Sequence, residues 1–228
     1  MHLVYILREP LGDELRYSLR SAAKNLDVET VTLVGDLPDW VKGVNHLPGN
    51  PTHDPYSNAY ANILIAAKEI PGDFLLMNDD FFVLQKQTKP IPHWFERPLN
   101  QQAARAADPR SLRYKNLLLD TNRYLTEMGV AIPMSYGLHI PMPVNGKEIL
   151  RISKQTWNGF TVSNPPAWRS LYGNLSPLVQ GTQREDVKFH TLSQMPDELD
   201  FLSTDERTFH NFKPLLSEKF NRKCRWEK

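Results

Sequence analysis

The chain has 228 residues, 40% of them hydrophobic and 23% charged, with 27 Lys and Arg against 26 Asp and Glu for a net charge of +1. That length suits one domain with a sizeable core, and the near-neutral balance excludes a global field drawing the chain to nucleic acid or an anionic membrane. The single cysteine, Cys224, excludes an internal disulfide, and no apolar run approaches the ~20 residues of a membrane span.

Leu3-Val4-Tyr5-Ile6-Leu7 predicts a first buried strand, too short an apolar run for a signal peptide, so a cytoplasmic protein is expected. The turn at Gly12-Asp13-Glu14 feeds a helix with Leu15, Leu19, Ala22, Ala23 and Leu26 at helical spacing, ending near Asn25 to Asp27. Thr30 to Val34 predicts a second strand, closed by Gly35, and this strand–helix–strand order predicts a right-handed parallel crossover. Pro48 to Pro55 reads as loop, Asn58 to Ile70 as an Ala-rich helix, and Asp73 to Met77 as a third strand. The apolar run resumes at Phe81 to Leu84 after Asn78-Asp79-Asp80.

Pro90 to Pro98 reads as irregular, and Gln101 to Met128 as one or two helices broken at Pro109. The expectation is one domain over residues 1–228 with a helical insertion at about 90–130. Ile140 to Pro143 reads as a proline-rich turn, Lys147 to Ile152 as a short helix, Asp200 to Ser203 as a late strand, and the stretch from Phe209 as a helix followed by a basic end. The class expected is α/β.

The strongest chemical signal is Phe74-Leu75-Leu76-Met77-Asn78-Asp79-Asp80-Phe81-Phe82. Two like charges against an apolar wall are costly unless compensated, and a divalent cation with oxygen ligands, Mg²⁺ or Mn²⁺, compensates them. Adjacent strand residues point to opposite faces, so both acids reach one ion only if the chain turns there. A solvated acidic turn between two strands is the plainer alternative.

His139, among Pro141 and Pro143, is either a structural residue or a general base or metal ligand. Arg184-Glu185-Asp186-Val187-Lys188 has the look of a surface turn. Asp205, after a strand and beside Thr204, is either a helix cap or a further site carboxylate. Arg8, Arg16 and Arg20 lie beside the first helix, where guanidinium groups suit a diphosphate. The middle is rich in Arg97, Arg105, Arg110, Arg113, Lys115 and Arg123, a solvated face or a binding surface. A Gly-rich phosphate loop, a paired-cysteine zinc pattern and a Gly-x-Ser-x-Gly elbow are all missing from the sequence.

Glu14-Leu15-Arg16-Tyr17-Ser18-Leu19-Arg20-Ser21 resembles the opening of the second block of the Stealth family, which includes capsule sugar-phosphate transferases and the lysosomal-enzyme N-acetylglucosamine-1-phosphotransferase. Leu37-Pro38-Asp39-Trp40, Ser57-Asn58-Ala59, Met77 to Phe82, His139-Ile140-Pro141, Asp186 and Ser203-Thr204-Asp205 resemble further family blocks, in the family's order. The chain is more similar still to short phage and bacterial proteins labelled glycosyltransferases, at Glu14 to Ser21, Met77 to Phe82, Leu171 to Leu175 and Asp186 to Lys188.

This resemblance implies a glycosyltransferase-A-like (Rossmann-like) mixed sheet with flanking helices, a divalent metal and a nucleotide-sugar donor, expected to be a UDP-sugar. By this resemblance Asp79 and Asp80 serve the metal and diphosphate and His139 works near the acceptor; the residues themselves add Arg8, Arg16, Asn78 and Lys188 as expected donor contacts and Asp186 and Asp205 as alternative catalytic groups beside His139. The acceptor is a polysaccharide, a protein or modified DNA. Two departures from the family, at Ile6-Leu7-Arg8 and at Tyr60-Ala61 where an acid is lost, favour glycosyl transfer over hexose-1-phosphate transfer. The remaining alternative is a non-catalytic sugar- or nucleic-acid-binding module.

Overall fold

The structure is a computed structural model that describes residues 1–8, 12–50, 52, 54–155 and 159–228. Its centre is a five-stranded sheet built from β1 (His2–Ile6), β2 (Thr30–Gly35), β3 (Asn45–Pro48), β4 (Asp73–Met77) and β7 (Met142–Asn145), in the order β3-β2-β1-β4-β7. The first four are parallel, and β7 runs antiparallel along the β4 edge. Two small two-stranded sheets flank it: β5 (Phe81–Val83) with β9 (Phe201–Ser203), and β6 (His93–Phe95) with β8 (Gly181–Gln183).

Side-chain alternation divides the core in two. From β1 and β4, Leu3, Tyr5, Leu75 and Met77 enter one apolar cluster, while Val4, Ile6, Phe74 and Leu76 enter the other. Helix α1 (Glu14–Asn25), the β5–β9 pair and α7 (Phe209–Lys219) cover the first face. Helices α2 (Pro55–Glu69), α4 (Leu112–Glu127), α5 (Gly146–Gln155) and α6 (Trp168–Leu175) cover the second, and the short α3 (Leu99–Arg105) packs on α4. Burial on both faces explains why β1 and β4 are continuous apolar runs rather than alternating ones.

Helix α1 also serves the sheet with polar groups. Val83 N–H donates to Ser21 Oγ at 3.0 Å, Asn25 Nδ2 donates to Val83 O at 2.6 Å, and Ser18 Oγ donates to Phe81 O. These side chains stand in for a neighbouring strand along the free edge of β5, and they anchor the chain directly after Asp80. Ala23, expected on the apolar face, is exposed, and Tyr17, Ser18 and Ser21 take the buried positions.

The sequence-based elements are corrected at several points. Helix α2 begins at Pro55, with Asp54 capping Ser57 N–H at 2.8 Å, because proline's fixed φ suits a first helical turn. The expected loop at Pro48 contains the end of β3, and the expected irregular stretch at Pro90 contains β6. The expected proline turn is strand β7. Pro143 is tolerated there because β7 is an edge strand, and its carbonyl accepts from His93 Nε2 at 2.9 Å. The expected break at Pro109 is a 3-10 turn (Pro109–Ser111) separating α3 from α4. Among the described residues no helix is long and apolar enough to cross a membrane.

Candidate active site

The strand order reverses direction at β1: β2 and β3 lie on one side and β4 on the other. In an open parallel sheet the two crossovers leave to opposite faces at such a point, opening a crevice beyond the carboxyl ends of the strands. Arg8 follows β1 and Asn78-Asp79-Asp80 follow β4, so both segments end in that crevice. A cavity of about 800 Å³ occupies it, lined among others by Arg8, Glu14, Asn78, Asp79, Asp80, His139, Arg169, Lys188 and Asp205.

After Met77 the chain turns, closed by Phe81 N–H to Asn78 O at 3.2 Å, so the strict strand alternation does not apply to the two acids. Burial, then the charge of Asp80, then that of Glu14 push the Asp79 carboxyl well above its usual range. Burial raises Asp80 as well, against the opposing charges of Lys188, His139 and Arg169. Asp80 Oδ2 accepts a long hydrogen bond of 3.5 Å from Ser203 Oγ, while its Oδ1 is buried with no partner among the described residues.

An orphaned carboxylate oxygen beside a second raised carboxyl is the donor chemistry of a hard divalent cation. No cluster of three or more potential ligands occurs among the described residues, so the protein offers a carboxylate pair. Mg²⁺ and Mn²⁺ fit such a pair when substrate phosphates and water complete the shell.

His139 lines the same cavity, its ring 6.5 Å from that of Phe81. Its backbone N–H donates to Asp186 Oδ1 at 2.7 Å, and its Nδ1 lies 2.6 Å from Asp186 Oδ2. Burial pushes the Asp186 carboxyl up, but the hydrogen bonds and charge of His139 outweigh it, and the net shift is downward. An ionised Asp186 only accepts, so Nδ1 is a protonated nitrogen of the ring and Nε2 is the one that Asp186 leaves unengaged. The expected surface turn at 184–188 is thus corrected: Val187 is buried and its carbonyl accepts from Ser203 N–H at 3.0 Å, which holds Asp186 behind His139.

Arg169, on α6, has no counterpart in the sequence reading. It donates to Leu138 O at 3.3 Å, Ile140 O at 3.1 Å and Asn78 Oδ1 at 3.4 Å, and its guanidinium lies over the rings of Phe81 and Trp168. Burial lowers it to about 10, with Asp80 and Asp186 holding it up, so it remains a cation between the two acidic groups. Glu14, also outside the expected site set, is a buried lining residue whose carboxyl is raised by burial and by Asp80. The sequence reading places no element over α6, whereas Glu14 sits in the motif at the start of α1.

Asp205 is not a helix cap, since Thr208 is the residue that opens α7; it forms the turn before that helix and lines the cavity. Its Oδ1 accepts from Arg207 N, Thr208 N and Thr208 Oγ1, forming the turn before α7, while its Oδ2 lies 4.0 Å from Lys188 Nζ in the cavity wall. Arg16 is a correction: it does not line the cavity. It pairs with Glu227 Oε2 at 2.8 Å and stacks over Trp40, drawn away by a buried carboxylate that the sequence pattern could not connect to it. Most of the basic middle is paired as well, Arg113 with Asp54, Arg110 with Asp108, Arg123 with Asp120 and Arg97 with Glu96.

No protein-family model matches the chain, and no curated protein matches it. Among solved structures the chain is similar to the apo-form glycosyltransferase GlyE of Streptococcus pneumoniae TIGR4, at 10% identity and a TM-score of 0.48 over 97% of this chain. The similarity covers 60% of that protein, so the chain spans about three fifths of its length.

Proposed function

We propose that the chain is a metal-dependent glycosyltransferase that moves a sugar from a nucleotide-sugar donor, a UDP-sugar, to an acceptor hydroxyl. One observation carries the reading: the half-buried pair Asp79–Asp80, with its orphaned oxygen, lines one cavity at the sheet's switch point together with His139, which Asp186 holds from behind. The ordered Stealth-like motifs support it.

Asp79 and Asp80 would hold a divalent cation, which when bound would supply a Lewis acid for the donor's diphosphate. Arg8 and Lys188 add positive charge to the same wall. Arg169 holds the Asn78 side chain toward the cavity and offsets the acids behind it. His139 Nε2 accepts the acceptor hydroxyl's proton as that oxygen bonds to the anomeric carbon and the bond from that carbon to the diphosphate breaks. Asp186 then stabilises the imidazolium, as a carboxylate on Nδ1 does in other acid–base dyads. The nucleoside diphosphate leaves.

The pairing of the basic middle counts against a nucleic-acid-binding module, since its guanidinium groups already have carboxylate partners. The test is to incubate the protein with a panel of UDP-sugars and Mn²⁺ and to separate the nucleotides released. UDP, released by the wild type and not by Asp80→Ala, is the expected product. UMP would instead mean transfer of the sugar 1-phosphate, and no release from any donor would overturn the enzyme reading.

A further inference from the structure

A second cavity, of about 450 Å³, adjoins the first. The two share Tyr56, Ala59, Asn78, His139, Trp168 and Arg169, so they meet at the imidazole. Their chemistry differs. The first holds Asp79, Asp80, Glu14, Arg8 and Lys188, whereas no carboxylate is among the described residues that line the second. Its walls include Phe81, Tyr114, Leu117, Leu118 and Leu138. Its cation, Arg169, is already occupied by two backbone carbonyls and Asn78.

Two features show what this cavity is built to hold. Tyr56 and Tyr114 stack with ring centroids 5.9 Å apart and planes within 15°, so aromatic surface forms one wall, with Trp168 in the wall shared with the first cavity. Burial pushes the Tyr114 hydroxyl up to about 12, so it stays a neutral hydroxyl beside Gln102. Gln102 Oε1 is buried in the same lining with no hydrogen-bond partner among the described residues. A buried acceptor without a donor is costly, and a ligand hydroxyl relieves it. An anion would be desolvated here without a free cation, and an amine without a carboxylate.

We propose that this cavity is the acceptor subsite and that it takes a neutral sugar. Its hydroxyl donates to Gln102 Oε1, its C–H face lies on the aromatic wall, and a further hydroxyl is presented at His139. What happens to that hydroxyl rests on the glycosyltransferase reading; that a neutral sugar binds there does not. A small apolar cavity with a few convergent polar groups is the usual form of such a site.

The test uses the whole chain, without donor. Methyl β-D-glucopyranoside, methyl β-D-galactopyranoside and cellobiose are titrated by saturation-transfer NMR and calorimetry, with glucuronate and glucose 6-phosphate as charged counterparts. Saturable binding of a neutral sugar, preferred over the charged ones, is expected. Gln102→Leu, which keeps the side chain's bulk and loses its acceptor, should weaken that binding about five- to tenfold. Tyr114→Phe, which keeps the ring and removes the hydroxyl beside Gln102, should also weaken binding and serves should the first variant melt early. UDP with Mn²⁺ is titrated separately on the same samples. Failure of UDP to bind, with sugar binding intact and sensitive to Gln102, overturns the donor reading and supports this one. Absence of any neutral-sugar binding, a preference for the charged sugars, or binding unaltered in both folded variants overturns the acceptor assignment.

Discussion

Asp80 is held in a form that suits a cation and does not suit the fold alone. Burial raises its carboxyl, Asp79 beside it is raised too, and one of its oxygens has no partner. Replacing such a charge with a neutral isostere removes a desolvation penalty and a like-charge repulsion. Asp80→Asn is therefore expected to melt at a higher temperature than the wild type in metal-free buffer while losing donor turnover, measured on one preparation by calorimetry and nucleotide release. A variant that melts lower and still turns over would mean that the carboxylate is structural. His139 makes the complementary case. With Nδ1 engaged by Asp186, its Nε2 is the atom available to a substrate proton. His139→Ala should lower kcat by about 10²- to 10⁴-fold, the usual range for general acid–base catalysis, with little change in UDP affinity. An unchanged kcat in a stable variant rules out proton transfer at this position.

Helix α1 decides where the acidic turn sits. Its Ser18, Ser21 and Asn25 hydrogen-bond to β5, the strand that begins directly after Asp80. Ser21→Ala leaves the buried Val83 N–H without an acceptor, and an orphaned buried donor costs on the order of 2 kcal/mol. The expected outcome in urea is that much destabilisation at an unchanged m-value, together with reduced turnover, because the β5 register positions Asp79 and Asp80. Stability lost without any change in turnover at full occupancy of the folded state would show that the turn holds its shape without α1. On the far side of the cavity, Asp54 joins two elements at once. It caps α2 just before Tyr56, and it accepts from Arg113 of α4 at 2.7 and 2.8 Å. That clasp brings Tyr56 and Tyr114 face to face.

At the scale of the molecule, the segment around Glu227 locks α1 to the β2–β3 connection. Glu227 accepts from Arg16 and Arg20, and next to it Lys42 N–H donates to Trp226 O at 3.0 Å and Lys228 N–H to Trp40 O at 2.8 Å. Burial alone would raise the Glu227 carboxyl, but hydrogen bonds from Arg20, the Cys224 N–H and Arg16 lower it from 4.5 to about 2. A carboxyl depressed in the folded state adds stability that is complete above its unfolded value and is lost as pH falls through its folded value. Wild-type stability should therefore drop between pH 4.5 and about 2. Glu227→Gln should be less stable by about 3 kcal/mol at pH 7, since it leaves two guanidinium groups without their buried partner, and its acid profile should be flatter. Denaturant melts at a series of pH values check both. Parallel profiles for the two proteins would show that the ion pair contributes nothing.

The sequence by itself determined the elements whose burial is written in local periodicity. The β1–α1–β2 crossover and the bounds of β4 follow from apolar runs and helical spacing, and the acid pair is visible because two charges interrupt a buried strand. Strands such as β6, β7 and β8 are too short to carry a period, and prolines disguised β7 and the start of α2. Tertiary structure alone decided the partners. His139 meets Asp186 from 47 residues away, and Arg16 leaves the site for a carboxylate 211 residues along the chain. Arg169 and Gln102 gain their places only when α6 and α3 pack against α4. Periodicity records that a face is buried, since burial acts on each side chain separately. What that face is buried against depends on distant segments meeting, and no local pattern encodes that.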